Sequence, residues 1–487
     1  MDLLIGVNKM EKKKTNIIYL IVKIMFMLLS IASSLIFGVS AIGTNFLPMK
    51  YIVLFVIGIF ILNIILGLML LTKKKVLNII SMILIILFSV VFFVGYKYLN
   101  KTMNVLYEII SVKEEHTNYV VLTLADSEIN DLNGLENHNV GVVEIGSDKL
   151  IKEVKKTNIF GYKKYASVGE VIYGLELKEV DAIIITLTMY NLLLEENSEY
   201  ETILKKLGEY EVIGKDETVE SDVKIGESFI LYISGLDSRD LSFLSQVGLS
   251  DVNILAVVNP TIHKVLLINI PRDYYVQVHG TTGLKDKLTH AGIYGLESSL
   301  KTVEDLFDIN INVYLKLNFG AVTTLVDAID GIDVYSDQGF NSSHMRGWYV
   351  KKGMNHMDGA KALAFARERY AYSSGDRHRG KNQQDVIAAI INKVSQEKKY
   401  LLKYTDILES IQPYISTNFK MENVQALVKD QLDTMPKWQV ESIAVNGTNS
   451  TNYTYSWPRQ RTYVMVPIQE TIDEAKEKIS TVMKEGQ

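Results

Sequence analysis

Residues 16–42 are almost entirely apolar, with Lys23 as their only charge, and two further apolar runs occupy residues 51–71 and 76–94. Each is close to or longer than the roughly 20 residues that cover a bilayer core. Charge is missing from nearly every helical face, so these runs read as membrane spans and not as a buried hairpin of a soluble protein. A cleaved signal peptide would be shorter and would not be followed by two more spans. Lys12, Lys13 and Lys14 precede the first run and Lys73, Lys74 and Lys75 fill the second link, while the first link holds only Lys50. The positive-inside rule then predicts a cytoplasmic stretch 1–15, three spans within 16–97, and an extracytoplasmic remainder.

Beyond the spans the pattern changes to short apolar strands alternating with helices. Strands are predicted at 119–124, 140–145 and 182–186, with helices at 150–156 and 168–177 between them, a rhythm that implies a small α/β domain over 105–222 with a partly parallel sheet. It carries no phosphate loop and no clustered titratable set, so it reads as a spacer or docking domain. From residue 227 to 487 a larger α/β domain is expected. Its runs 229–233, 252–258 and 265–270 are nearly continuously apolar, the mark of strands covered on both faces. A helix capped by Asp358 should end near Ala366. A second, capped by Asp376, carries the apolar stripe Val386, Ile387, Ile390, Ile391 and Val394. Strands at 438–445 and 462–466 and a helix at 469–483 complete this domain.

Composition narrows the chemistry. The net charge of -5 over 487 residues argues mildly against nucleic-acid binding. With no cysteine, disulfides, thiolate metal sites and cysteine nucleophiles are excluded. Arginine is the informative residue: there are nine, none precedes Arg239, and Arg367, Arg369, Arg377 and Arg379 fall close together. Lysine would serve solubility equally well, so this bias points to the forked guanidinium and its two-at-a-time grip on phosphate or carboxylate oxygens.

Polar residues massed at the ends of buried strands are where α/β sheets bind ligands. Asp237, Arg239, Asp251, Arg272 and Asp273 hold such positions and can meet in space. Arg367 and Arg369 point to one side only if the chain between them is extended, and Arg379 and Gln383, four apart, share a helix face. Arg377 and Lys381 fall elsewhere on that helix and are expected to face solvent. Lys287 is a candidate phosphate contact. His263, His279 and His290 match no zinc spacing. Arg459 and Arg461, beside a polar loop, could reach a polymer or an acceptor.

Together these residues resemble the LytR-CpsA-Psr (LCP) family, in particular its streptococcal capsule-operon members, which also have three spans and an accessory domain. The resemblance rests on Gly235-Leu236-Asp237-Ser238-Arg239, Ser250-Asp251, Ile270-Pro271-Arg272-Asp273, Lys287-Leu288-Thr289-His290-Ala291, Ala366-Arg367-Glu368-Arg369, and Gly375-Asp376 through Gln383-Gln384. It implies a membrane-anchored α/β protein with a larger α-β-α catalytic domain. Family members resemble phosphotransferases that move an anionic glycopolymer from an undecaprenyl pyrophosphate lipid to peptidoglycan outside the membrane. Leu249 and Asn382 depart from the pattern, since many relatives carry arginine there.

On this reading Arg272, Asp273, Arg367 and Asp376 are the catalytic candidates. Arg239, Arg272, Lys287, Arg367, Arg369, Arg379 and Gln383 would hold the pyrophosphate, and Asp237 and Asp251 would hold Mg²⁺ or Mn²⁺. Asp273 could serve as a base or as a carboxylate that orients arginine. Expected partners are the undecaprenyl pyrophosphate-linked glycopolymer, peptidoglycan and membrane proteins of capsule assembly, with no nucleic acid. A non-catalytic regulator or scaffold of capsule assembly that binds the lipid-linked polymer is the alternative.

Overall fold

The computed structural model describes residues 2–110, 114–156, 160–215, 221–236 and 248–486. The chain divides into two compact units, one comprising Met1–Tyr107 with Val424–Met435, the other Glu108–Asn423 with Pro436–Gln487.

In the first unit, α1 (Asp2–Gly43), α2 (Met49–Leu71) and α3 (Lys75–Ile110) are each long and apolar enough to cross a membrane. Their few polar side chains bond between helices, as expected where the alternative is hydrocarbon: Ser30 Oγ donates to Asn63 Oδ1 at 2.8 Å, and Asn63 Nδ2 donates to Ser34 Oγ at 3.0 Å. As helices, α1 begins at Asp2, within the stretch expected to lie in the cytoplasm, and α3 runs on past residue 97 to Ile110, where Val105, Leu106 and Ile109 sustain its apolar spacing and are buried. In the same unit, Lys50 Nζ lies 2.7 Å from Asp433 Oδ1, and Gln425 Nε2 donates to Thr44 O at 2.9 Å.

The second unit opens with β1 (Glu114–Leu124), β2 (Asn139–Val143), α4 (Ser147–Val154), β3 (Gly161–Tyr165), α5 (Val168–Glu176), β4 (Ala182–Thr186), α6 (Leu187–Glu196) and β5 (Leu204–Lys215). The sheet order is β3-β2-β4-β1-β5. β2 runs parallel to β3 and β4, whereas β1 is antiparallel to β4 and β5, so the sheet is partly parallel as expected. The strands that the apolar pattern did not predict, β3 and β5, are its two edges. Lys163 and Lys164 in β3, and Lys205, Lys206 and Glu209 in β5, supply the charge that keeps an exposed edge from pairing with another chain.

The larger sheet is built around β6 (Phe229–Leu236), β7 (Val252–Asn259) and β8 (Lys264–Asn269), with β7 antiparallel to the neighbour on either side. Val313–Asn318 joins β6 in parallel and Gln439–Ala444 joins β8 in parallel, with Ile415–Thr417 at the far edge. Helices Leu296–Phe307 and Gln469–Lys484 pack Val303, Phe307, Ile472 and Ile479 against one face. Helix Asp376–Gln396 lays Ile387 and Ile391 on the other, which gives the α-β-α layering. Its apolar stripe is shared between two clusters: Val386, Ile390 and Val394 turn away from the sheet toward Phe365 and Tyr400.

The two α/β regions share a core. Trp457 and Ile293 of the larger region pack among Val171, Leu175, Met189 and Leu193 of the smaller. Backbones meet at Gly169, whose N–H donates to Ser456 O at 2.9 Å. A Cβ at this position would lie 2.7 Å from that oxygen, so only glycine permits the approach. The smaller region is therefore held to the larger by side-chain packing and by a backbone contact.

Candidate active site

Antiparallel pairing brings the end of β6, the start of β7 and the end of β8 to one edge of the sheet. Asp251 N–H donates to Gly235 O at 2.9 Å, which sets Asp251 at the entry to β7. Beyond β8, Arg272 is fixed through its carbonyl, which accepts from Thr289 N at 2.9 Å. Its guanidinium then sits among three carboxylates: Nη1 lies 2.6 Å from Asp251 Oδ1, and Nε lies 3.7 Å from Asp273 Oδ2 and 4.0 Å from Asp376 Oδ1. Burial works against the charge of Arg272, yet the attraction of Asp251, Asp273 and Asp376 outweighs it and raises its pKa.

The second wall comes from two helices. Asp358 caps Gly359–Arg367 by accepting from Lys361 N at 2.9 Å, and the helix ends one residue beyond the expected Ala366. Glu368 then adopts extended backbone (φ -67°, ψ 125°), so Arg367 and Arg369 turn to one side and Glu368 to the other. Glu368 is completely buried and accepts from Ser343 N (2.7 Å), Ser343 Oγ, Tyr370 N (3.0 Å) and Ala371 N (3.2 Å). Burial pushes its pKa up, but these hydrogen bonds prevail and hold it below the usual carboxylate value. Arg367 lies over the Phe319 ring, 4.6 Å from its centre, and its carbonyl accepts from His344 Nε2 at 3.0 Å.

In helix Asp376–Gln396 the expected cap is corrected. The N-cap is Gly375, at φ 53° and ψ -116°, a backbone region that glycine enters without strain, and Asp376 begins the first turn. From there Asp376 Oδ1 meets Arg379 Nη2 at 2.8 Å. Burial raises the Asp376 pKa against the pull of Arg379 and Arg272, and burial also lowers that of Arg379. Gln384 is buried and donates to Leu267 O and Ile443 O at 2.9 and 2.7 Å, pinning this helix across two strands of the sheet.

These elements enclose a cavity of about 400 Å³. Asp251, Arg272, Arg367, Arg369, Arg379 and Gln383 all line it, as the sequence pattern led us to expect. Lys287, Asp273 and Asp376 stand behind that wall. Lys287 Nζ is 3.8 Å from Asp273 Oδ1 and 3.9 Å from Glu196 Oε1, and the carboxylates of Asp273 and Asp376 lie against the cations of Arg272, Lys287 and Arg379. Asp237 and Arg239 lie outside the described residues.

Of the two departures from the family pattern, Leu249 lines the cavity, whereas Asn382 is completely buried and donates to Phe365 O at 3.0 Å. Arg377 is exposed and donates to Gly447 O at 2.8 Å. Arg459 stacks on Tyr173 and Arg461 donates to Thr451 O, so both are engaged locally.

Sequence reasoning missed one wall altogether. Thr188, Asn191, Leu192 and Glu195 of α6 also line the cavity, opposite the arginines in composition. Their spacing of three, four and seven was legible as one helix face; what that face meets was not. Four guanidinium groups against the carboxylates of Asp251 and Glu195 leave the wall with an excess of positive charge, suited to a doubly or triply charged anion.

A divalent cation would have few protein ligands here. Among the described residues no three His, Cys, Asp or Glu side chains come together as a metal site. Asp251 nevertheless offers hard oxygens on the cavity wall, and one or two carboxylates are what magnesium ordinarily takes when phosphate oxygens complete its shell.

The model of the LytR_cpsA_psr family matches residues 196–474, more than half of the chain. This protein belongs to the LytR-CpsA-Psr family. Among its relatives in that family is a protein of Bacillus cereus described as polyisoprenyl-teichoic acid–peptidoglycan teichoic acid transferase TagU. It is 33% identical over 226 residues, covering 46% of this chain and 69% of the relative. A TagU of Enterococcus faecalis with the same description is 29% identical over 239 residues, 49% and 77% of the two chains. The crystal structure of B. subtilis TagV superposes with a TM-score of 0.45 at 25% identity, over 53% of this chain and 98% of that one. The arginine cavity falls within the LytR-CpsA-Psr segment, whereas Thr188, Asn191 and Glu195 precede it.

Proposed function

We propose that this LytR-CpsA-Psr protein is a phosphotransferase that moves a glycopolymer from an undecaprenyl pyrophosphate carrier to peptidoglycan, outside the membrane to which α1–α3 anchor it. The observation that carries the reading is the convergence of Arg272, Arg367, Arg369 and Arg379 on one cavity. Relatives described as transferring polyisoprenyl-linked teichoic acid to peptidoglycan support the reaction class. For the polymer we propose capsular polysaccharide, with capsule-assembly membrane proteins as neighbours. The lysines flanking the spans favour a cytoplasmic amino terminus.

The chemistry needs no covalent enzyme intermediate. A peptidoglycan sugar hydroxyl attacks the phosphorus that bears the polymer. The new P–O bond forms as the pyrophosphate P–O–P bond breaks, undecaprenyl phosphate leaves, and the hydroxyl proton passes to solvent. Arg272, Arg367, Arg369 and Arg379 stabilise the charge that develops on the phosphoryl and leaving oxygens. Asp273 and Asp376 keep Arg272 and Arg379 charged and oriented. Magnesium or manganese, held by Asp251 and Asp237, would neutralise further charge on the phosphates.

The test is a transfer assay with the full-length protein in detergent, undecaprenyl-pyrophosphoryl oligosaccharide and peptidoglycan fragments. Formation of a phosphodiester-linked product with release of undecaprenyl phosphate is expected. Binding of the lipid without turnover, with and without added magnesium, would overturn the enzymatic reading in favour of a non-catalytic scaffold.

A further inference from the structure

The proposed reaction accounts for the arginine side of the cavity and leaves the α6 side without a task. That side is one stripe, Thr188, Asn191, Leu192 and Glu195, and it precedes the family-matched segment 196–474. The helix is firmly held. Thr186 caps it by accepting from Met189 N at 3.1 Å, and Met189 and Leu193 are buried in the core that also contains Trp457. Glu196, at its end, reaches Lys287, and Leu249 packs against the same core. Asn191 and Glu195 are exposed and lie within the cavity, whereas Leu192 is buried.

A carboxylate repels a phosphate, so Glu195 does not belong to the pyrophosphate site. A carboxylate and a carboxamide four residues apart on one exposed helix face suit a pyranose ring: hydroxyl groups donate to Glu195 Oε and Asn191 Oδ1, and Asn191 Nδ2 donates back. In a polyprenyl pyrophosphate donor the group bonded to the second phosphate is a sugar. Resting on the reading that the arginines hold the pyrophosphate, we infer that Asn191 and Glu195 bind the hydroxyl groups of the first sugar of the donor. This would make the smaller α/β region a specificity element of the transferase.

The test compares three probes on the full-length protein in detergent: undecaprenyl pyrophosphate, and the same lipid carrying one hexose or one N-acetylhexosamine. The unmodified protein should bind the better of the two glycosylated lipids about tenfold more tightly than the bare one, as expected for a charge-assisted hydrogen bond to a hydroxyl. N191A/E195A should lose that preference while binding the bare lipid at least as tightly as before, since a carboxylate that repels phosphate is gone, which also reports that the cavity is folded; E195Q should lose part of the preference. Equal preference in N191A/E195A and the unmodified protein, or no preference in the unmodified protein, would overturn the inference and leave the transferase reading standing. Failure of the unmodified protein to bind any of the three lipids would overturn both.

Discussion

Arg272 and Asp251 stand at the ends of adjacent antiparallel strands and meet with Nη1 and Oδ1 2.6 Å apart, on the wall of the arginine cavity. The pair is partly buried, so each group depends on the other to offset its desolvation. D251N removes the charge and keeps the shape. A loss of roughly 1–3 kcal/mol in stability is expected from the weakened charge-assisted bond, together with weaker pyrophosphate binding as Arg272 is freed to move. Thermal unfolding and lipid titration on the same variant check both.

Glu368 is the buried counterweight that keeps its two arginine neighbours facing the cavity. Its folded pKa is depressed, so it contributes stability above the unfolded carboxylate value of about 4.3, and that contribution is lost as the pH falls through the folded value. E368Q should lower the melting temperature at neutral pH, and the difference from the unmodified protein should shrink on acidification below about pH 4. A difference that stays constant across this range would contradict the assigned role. Activity should fall with it, because Arg367 and Arg369 lose their fixed direction.

Asp376 is shifted the opposite way, raised chiefly by burial. As the pH falls, it protonates above the ordinary carboxylate range and releases Arg379. The acid limb of kcat/KM should therefore lie higher than an unperturbed aspartate would place it, near pH 4. D376N should abolish that limb and lower the rate at neutral pH by about 10²-fold, the scale set by loss of one oriented donor. A pH–rate profile of the two proteins distinguishes this from a general loss of folding.

Much of this site was legible before the structure. The strands β6, β7 and β8 announced themselves by unbroken apolar runs, and Arg379 and Gln383 by their spacing on a helix whose apolar stripe was plain. Arg367 and Arg369 followed once the helix was seen to end between Ala366 and Glu368. The remainder was hidden for physical reasons. β3 and β5 are charged because they are edges, so their alternation is masked. Glu368 carries a charge and gave no sign of burial, since its partners Ser343, Tyr370 and Ala371 are backbone or short polar groups. Asp376 looked like a cap, but Gly375 takes that position. The α6 wall depends on a contact between regions that are distant in the chain.

That contact is itself testable. Trp457 is almost fully buried in the core of the smaller region, and Gly169 lies against the backbone of Ser456. W457A should cost roughly 3–5 kcal/mol by opening a cavity between the regions. It should also remove any sugar preference that depends on α6, while leaving the strand-end pair of Asp251 and Arg272 in place. Limited proteolysis in the segment between β5 and β6, faster in W457A than in the unmodified protein, provides the check.

The transferase reading stands or falls on which phosphorus–oxygen bond is broken. A donor lipid labelled with ³²P in the phosphate next to the sugar, given to the full-length protein with peptidoglycan fragments, should pass its label to the peptidoglycan product and leave unlabelled undecaprenyl phosphate behind. The R272A/R379A protein should transfer none. Label retained on the lipid, whether as intact donor or as undecaprenyl pyrophosphate with the sugar released, would contradict attack at phosphorus within the arginine cavity.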